Sequence, residues 1–221
     1  MPVYQLVMKH FHYYLCYQLK GGGMEIFMNI QKNILFHISP KNIWKIGDTI
    51  IAGKQENPFW LACKNYSPRI EVNEETISMF TMFDKYPQLD LTQDTLNYIY
   101  QLLKNVSKEM AFYIREQVFE DVRKEFYPKL PSRQKCLWLS DEDGLSYWRT
   151  MTIGEQQYLL TLELDGNIFC GDEYWLKADT LSSIEYANRA KHYWSGDMTN
   201  RSVKEYLFYG QAIIKDIIQL E

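Results

Sequence analysis

The spacing of apolar and polar residues divides the first part of the chain into short strands and one long helical segment. Residues 34–38 form an apolar run that predicts a buried strand, and residues 48–52 predict a second strand. Residues 74–83 predict a short helix. From Thr92 to Phe126 apolar residues recur at helical spacing, which predicts one long helix or two joined helices with Thr92 as the N-cap.

Strands predominate after residue 130. Apolar runs predict strands at 136–139, 157–164, 168–170, 205–209 and 212–218. Asp165-Gly166-Asn167 predicts a turn between two of them. Helices are expected from Asp141 or Glu142 to about Met151, and from Ser182 or Ser183 to Trp194. Because most connections between the strands are short, the pattern favours an α+β fold with an antiparallel or mixed sheet over a doubly wound sheet.

Charge and hydropathy exclude several classes of protein. The 221 residues include 24 Lys and Arg against 28 Asp and Glu, which gives a formal charge of −4 and a pI near 5.7. This balance does not indicate tight, non-specific binding to nucleic acid, although it leaves a nucleic-acid partner possible. No run approaches the ~20 apolar residues that a membrane span needs, so we expect no membrane partner.

The cysteine pattern predicts a reduced, cytoplasmic protein. Cys16, Cys63, Cys136 and Cys170 are widely spaced, and none forms a C-x-x-C pair. Such spacing does not resemble a disulfide scaffold. No pattern of histidines and cysteines indicates a metal site, and we expect none.

The N-terminal residues differ in character from the rest of the chain. Residues 1–27 contain the flexible stretch Lys20-Gly21-Gly22-Gly23 and are expected to form a loosely attached, poorly defined leader. Met28 would then be an alternative start. Residues 28–221 are expected to form a single domain.

Three separate blocks carry candidate chemistry. The first block, residues 35–53, reads LFHISPKNIWKIGDTIIAG and contains His37. The second block begins with the strand Leu137-Trp138-Leu139-Ser140 and continues in a helix with Ser146, Tyr147 and Trp148. The third block is Lys204-Glu205-Tyr206-Leu207-Phe208-Tyr209.

These blocks resemble, in the same order, three motifs of the ADP-ribosyltransferase superfamily of the His-Tyr-Glu type. The first block is most similar to the opening of the rifamycin ADP-ribosyltransferases, an aromatic-His-Gly-Thr strand followed by Ile-Gly-Asp and an apolar strand ending in Gly. The second resembles a hydrophobic strand and a helix with a hydroxyl residue before an aromatic one, and the third a Glu-Tyr-hydrophobic-hydrophobic-Tyr strand. Two departures are Ile38, where the family has Gly, and Trp138, where it has Tyr.

The resemblance implies a fold and a set of roles. The fold would be an ADP-ribosyltransferase-like split antiparallel or mixed sheet, with a helical insertion at about residues 65–130. His37 and Ser39 would help to position NAD⁺, Trp138, Tyr147 and Trp148 would pack against its rings, and Ser146 would bond the carboxamide. Glu205 would be the catalytic carboxylate, stabilising a cationic transition state together with His37. Asp172 is the alternative acid, because rifamycin enzymes carry an acidic turn there.

The activity so implied is transfer of ADP-ribose from NAD⁺, a glycosyltransferase reaction in which NAD⁺ is a substrate. The acceptor is open: a small molecule, a protein or a nucleic acid, the last two as in bacterial toxins and phage-defence effectors. An alternative is a catalytically inactive NAD-fold module that binds a protein partner. The chain is also compatible with an uncharacterised bacterial family of domains of unknown function. The residues alone allow a plainer interpretation, with Glu205 a solvated charge at a strand edge and Trp148 a core residue.

Overall fold

The computed structural model describes residues 27–72, 75–85, 92–152, 154 and 156–220. In chain order its elements are β1 (Phe27–Ser39), β2 (Thr49–Ala52), α1 (Pro58–Asn65), β3 (Arg69–Val72), β4 (Glu75–Ser78), α2 (Met79–Lys85), α3 (Gln93–Phe126), β5 (Leu137–Leu139), α4 (Leu145–Met151), β6 (Gln157–Asp172), a 3-10 turn (Glu173–Leu176), α5 (Ser183–Trp194) and β7 (Lys204–Leu220). The expected α+β class with a helical insertion is confirmed. Residues 1–26, nearly all of the expected leader, lie outside the described residues.

The larger sheet has five strands, and every pairing in it is antiparallel. β6 lies between β1 and β7, while β2 and β5 occupy successive stretches along the other edge of β7. The sheet curls until its two edges meet, because Phe36 and Ser140 exchange backbone hydrogen bonds of 3.0 and 2.8 Å between β1 and the end of β5. The curled sheet encloses an apolar core that includes Leu35, Leu139, Leu162, Tyr206 and Ile214.

The turn predicted at Asp165-Gly166-Asn167 is wrong, and so is the break between strands 205–209 and 212–218. β6 and β7 each run unbroken through these positions, and Gly166 pairs with Gly210. A Cβ atom at Gly210 would approach the carbonyl oxygen of Asp165 to 2.3 Å, and one at Gly166 would approach the oxygen of Tyr209 to 2.2 Å. The glycines therefore permit a close approach of two paired strands, a role that local sequence does not distinguish from a turn.

A second core lies on the outer face of the sheet, where α3 and α5 cover it. Phe169 and Leu207 of the sheet pack there against Phe119 of α3 and Trp194 of α5. The indole of Trp194 also donates a 2.9 Å hydrogen bond to the carbonyl of Phe119. The C-terminal half of the long helix is therefore an integral part of the fold.

The secondary structure of the helical insertion agrees in part with the prediction from the sequence. Thr92 caps α3 by accepting a 3.2 Å hydrogen bond from the Thr95 amide, and α3 is one continuous helix. The helix predicted at residues 74–83 is wrong in its first half, which forms β4. Ile77 of β4 pairs with Ile70 of β3, and both are buried beneath Leu102 of α3. Burial against α3 therefore favours a strand where short-range periodicity indicated a helix.

Helices that could cross a membrane need both length and an apolar surface. Within the described part of the chain no helix has both properties.

The paired glycines generate a stability prediction. Gly210→Ala should cost about 3 kcal/mol of unfolding free energy, because the added methyl group brings both backbone strain and overpacking. Gly47→Ala is the matched control: Gly47 also has a positive φ of 92°, but a Cβ atom there meets nothing within 4 Å. Its loss should stay near 1–2 kcal/mol. Urea denaturation measures both variants, and equal losses would contradict the close approach at Gly210.

Candidate active site

Glu205 lies at the start of β7 with its carboxylate buried. The residue is only 4% exposed, so it is not the solvated charge that its sequence position allows. Its Oε2 atom accepts a hydrogen bond from Nη1 of Arg133 and a 2.6 Å bond from the hydroxyl of Tyr193. Both hydrogen bonds that the described residues donate to Glu205 reach Oε2. Oε1 is therefore the oxygen that they leave for another partner.

Arg133, in the loop before β5, is held on every side. Its Nε lies 3.1 Å from Oε2 of Glu116, and its Nη2 lies 3.2 Å from Oε1 of the same residue. Its guanidinium also lies over the rings of Trp138 and Tyr193, 5.6 and 5.3 Å from their centroids. Burial lowers the pKa of Arg133, but the charges of Glu116 and Glu205 outweigh it and raise the pKa well above its ordinary value. Arg133 is thus a fixed cation.

The long helix α3 supplies the other half of this cluster. Glu116 accepts hydrogen bonds of 3.1 and 2.7 Å from Nε and Nη2 of Arg115. Burial alone raises the pKa of Glu116, whereas Arg133 and Arg115 together lower it below its ordinary value of 4.5. We call Arg115, Glu116, Arg133 and Glu205 the buried charge cluster. Its two cations and two anions balance, as burial of charge requires.

Asp172, the alternative acid, lies at the end of β6 and is fully buried. Its Oδ1 accepts a 2.9 Å bond from the Tyr174 amide, and its Oδ2 accepts a 2.6 Å bond from the Thr199 amide. Both oxygens thus bind backbone N–H groups, and Asp172 is the N-cap of the 3-10 turn. This geometry gives Asp172 a structural role in orienting the turn and the loop before β7.

Helix α4 brings the aromatic residues of the second block to the start of β7. The indole of Trp148 donates a 2.9 Å hydrogen bond to the carbonyl of Lys204, the residue before Glu205. The hydroxyl of Tyr147 bonds to Glu173. Burial, then the hydrogen bond to Glu173 and the charges of Glu173 and Glu205, raise the pKa of Tyr147. Ser146 is exposed on the same helix.

Asp141 connects the loop before α4 with β7 on both sides of Glu205. Its Oδ2 accepts bonds from the Tyr206 hydroxyl at 3.1 Å and from Nζ of Lys204 at 3.4 Å. Its Oδ1 accepts a 3.0 Å bond from the Gly144 amide, which begins α4. The second and third sequence blocks are therefore linked by side-chain contacts on both flanks of the candidate acid.

The first block reaches the second through the backbone pairing of Phe36 with Ser140 and through a hydrogen bond of His37. Nδ1 of His37 lies 2.9 Å from the carbonyl oxygen of Trp138 and must donate to it, which leaves Nε2 as an acceptor when the ring is neutral. Burial lowers the pKa of His37 and outweighs the opposing effect of this bond, so the ring is neutral at pH 7. Ser39 is buried, and its hydroxyl donates a 3.0 Å bond to the carbonyl of Lys41 in the turn that ends β1.

The side chains of His37 and Glu205 do not share one face of the sheet. Side chains two residues apart in a strand share a face. His37 therefore lies on the same face as Leu35, in the enclosed core, whereas Glu205 lies on the same face as Leu207, which faces the helices. Trp138 lies on the helix-covered face, with its ring 5.1 Å from that of Phe59. Arg133 thus links Trp138 to Glu205, and Trp148 bonds the residue before Glu205. His37 is joined to Trp138 only through the backbone of β5.

Sequence reasoning missed Arg133, Glu116 and Tyr193. One signal was available for Glu116, a charged residue within the apolar stripe of α3. Glu173, the residue after Asp172, was missed as well, and it contributes to raising the pKa of Tyr147. No local pattern marks Arg133, because its partners lie far from it in the chain.

Metal binding has no support from the side chains that the structure describes. Among them, no group of three or more His, Cys, Asp or Glu residues could hold a metal ion.

The indole Nε1 of Trp138 is buried and has no hydrogen-bond partner among the described residues.

Comparison with known proteins identifies a family. Residues 35–220 match the family described as "Protein of unknown function (DUF2441)", and since this match covers most of the sequence, the chain belongs to that family. Comparison with curated proteins gives no match. Membership in a family of unknown function is one of the expectations drawn from the sequence, and it is confirmed in that form.

The buried charge cluster generates a prediction about acid stability. Because the folded-state pKa of Glu116 is lowered, its stabilising contribution is present above pH 4.5 and is lost as the pH falls through the folded-state value. Glu116→Gln should cost about 3–5 kcal/mol at neutral pH, and the loss should shrink under acid conditions. Urea denaturation at a series of pH values measures both effects.

The matched control for this prediction is Glu125→Gln, an exposed position on the same helix. It should change the unfolding free energy by less than about 0.5 kcal/mol. A Glu116→Gln loss of similar size, or one that does not depend on pH, would show that the two arginines do not need Glu116 as a counter-charge.

Proposed function

We propose that this protein transfers ADP-ribose from NAD⁺ to an acceptor. The observation that carries the proposal is the meeting of the second and third blocks around Glu205. Trp148 bonds the carbonyl just before Glu205, and the charge of Glu205 contributes to raising the pKa of Tyr147. Aromatic rings beside a carboxylate are the elements that a nicotinamide and its ribose require. The resemblance of the sequence motifs supports the same reaction.

The reaction requires a negative charge beside the ribose, and Glu205 supplies it. The bond between C1′ of the ribose and the nicotinamide nitrogen breaks, its electron pair leaves with nicotinamide, and positive charge develops on the ribose. The acceptor oxygen or nitrogen then forms a bond to C1′ and releases its proton. The carboxylate of Glu205 stabilises the cationic ribose and orients the acceptor, as carboxylates do in glycosyl transfer.

The remaining site residues would hold the dinucleotide. Trp148 and Tyr147 cover the nicotinamide ring beside Glu205, with Ser146 near its carboxamide. His37 faces the enclosed core, across the sheet from Glu205, so in this proposal it orients β5 behind the site through its bond to the Trp138 carbonyl. Ser39, at the end of the same strand, would hold the turn that ends β1.

One observation favours a second function, a catalytically inactive module that binds a protein partner. Glu205 is almost fully buried, and its charge is already compensated by Arg133. In this alternative the carboxylate has a structural role only, and the fold presents its surface to another protein. Binding of NAD⁺ distinguishes the two functions.

The first test is thermal. NAD⁺ at a hundredfold excess over its Kd should stabilise the folded protein by about 2.7 kcal/mol, because it binds the folded state alone. The shift in Tm and the change in tryptophan fluorescence are the measurements, with ADP-ribose and free nicotinamide as partial ligands. If millimolar NAD⁺ changes neither, the inactive module is the better description.

The second test separates the two acids by nicotinamide release, which requires no knowledge of the acceptor. Glu205→Gln should keep NAD⁺ affinity within a few-fold and lose turnover by on the order of 10²-fold or more, since it acts on the developing cation. Asp172→Asn should lower stability but keep turnover per folded molecule, because its oxygens cap backbone groups. Circular dichroism gives the folded fraction of each variant. Loss of turnover in Asp172→Asn alone would reverse the assignment.

A further inference from the structure

The candidate acid is held by one oxygen only. Arg133 and Tyr193 both donate to Oε2 of Glu205. Two donors that converge on one oxygen fix the rotation of the carboxylate about its last bond. The other oxygen then has a defined direction without being used by the described residues.

The principal donor is itself immobile. Glu116 binds the Nε and Nη2 side of the Arg133 guanidinium, which leaves Nη1 for Glu205 and Tyr193. The planar fork of an arginine allows two carboxylates to be held in a fixed mutual geometry, which the point charge of a lysine cannot do. The rings of Trp138 and Tyr193 restrict its remaining motion. Such rigid support is what a catalytic group needs in order to keep its orientation.

The geometry points to Arg133 as a positioning residue for Glu205. It holds Oε2 so that Oε1 faces the ribose, and Glu116 of α3 holds Arg133. This inference rests on the proposed transfer of ADP-ribose. It also gives the helical insertion a function beyond packing: α3 supports the orientation of the catalytic carboxylate.

The test compares Arg133→Met with Arg123→Met. Arg123 also pairs with a buried glutamate of α3, at 3.0 and 2.8 Å from the oxygens of Glu120, but it makes no contact with Glu205 among the described residues. Both variants should lower the Tm. Only Arg133→Met should lower kcat for nicotinamide release, by about 30-fold or more, with KM for NAD⁺ unchanged within threefold.

Further variants keep the inference testable if Arg133→Met fails to fold. Arg133→Lys keeps the charge but not the fork, and should lose about tenfold in kcat. Tyr193→Phe removes the second donor to Oε2 and should lose about fivefold. In a Glu205→Gln background each of these changes should have no further effect on kcat, because residues that act through one group are not additive.

The possible failures are distinguishable. A wild-type protein that neither binds nor cleaves NAD⁺ overturns the proposed function, and this inference with it. A wild-type protein that is active, with Arg133→Lys and Tyr193→Phe keeping full kcat, overturns the positioning role alone. An equal loss of kcat in Arg123→Met would also overturn it, because the effect would then follow from lowered stability.

Discussion

The fold depends on one buried cation, Arg133. It lies where the loop before β5, the long helix α3 and the central strand β7 meet, and it pairs with Glu116 and Glu205. Burying these groups carries a large desolvation penalty, which is offset only when every charge has its partner in good geometry. Movement of any of these elements would leave a charge without compensation. The cluster thus defines one arrangement of helix and sheet, and the candidate acid is part of it.

Local signals predicted those parts of the fold that local interactions determine. The N-cap at Thr92 and the apolar periodicity after it are short-range features, and α3 follows them. The two glycines at 166 and 210 also gave a local signal, but their role comes from pairing with each other across β6 and β7. A glycine flanked by polar residues is compatible with a turn or with a close contact between strands. Only the strand register shows which of the two it forms.

The same distinction between local and long-range signals applies to the residues of the candidate site. Motif order indicated Trp138, Tyr147, Trp148 and Glu205, and these residues lie together or are linked through their neighbours. Arg133 could not be found in this manner, because its contact with Glu205 depends on how the loop before β5 docks against β7. The choice between Glu205 and Asp172 also depends on geometry, since the amides that bind Asp172 belong to the 3-10 turn after β6 and to the loop before β7. The activity itself stays a prediction.

The order of strands in the sheet has a consequence for synthesis of the protein. β7, the last of the described strands, lies in the middle of the sheet, with β6 on one side and β2 and β5 on the other. A chain emerging from the ribosome therefore exposes β2 and β5 without partners until residues 204–220 have been made. Apolar strands left unpaired for that time are sites of aggregation. The larger sheet can therefore close only after β7 has been made, which makes its completion a late step of folding.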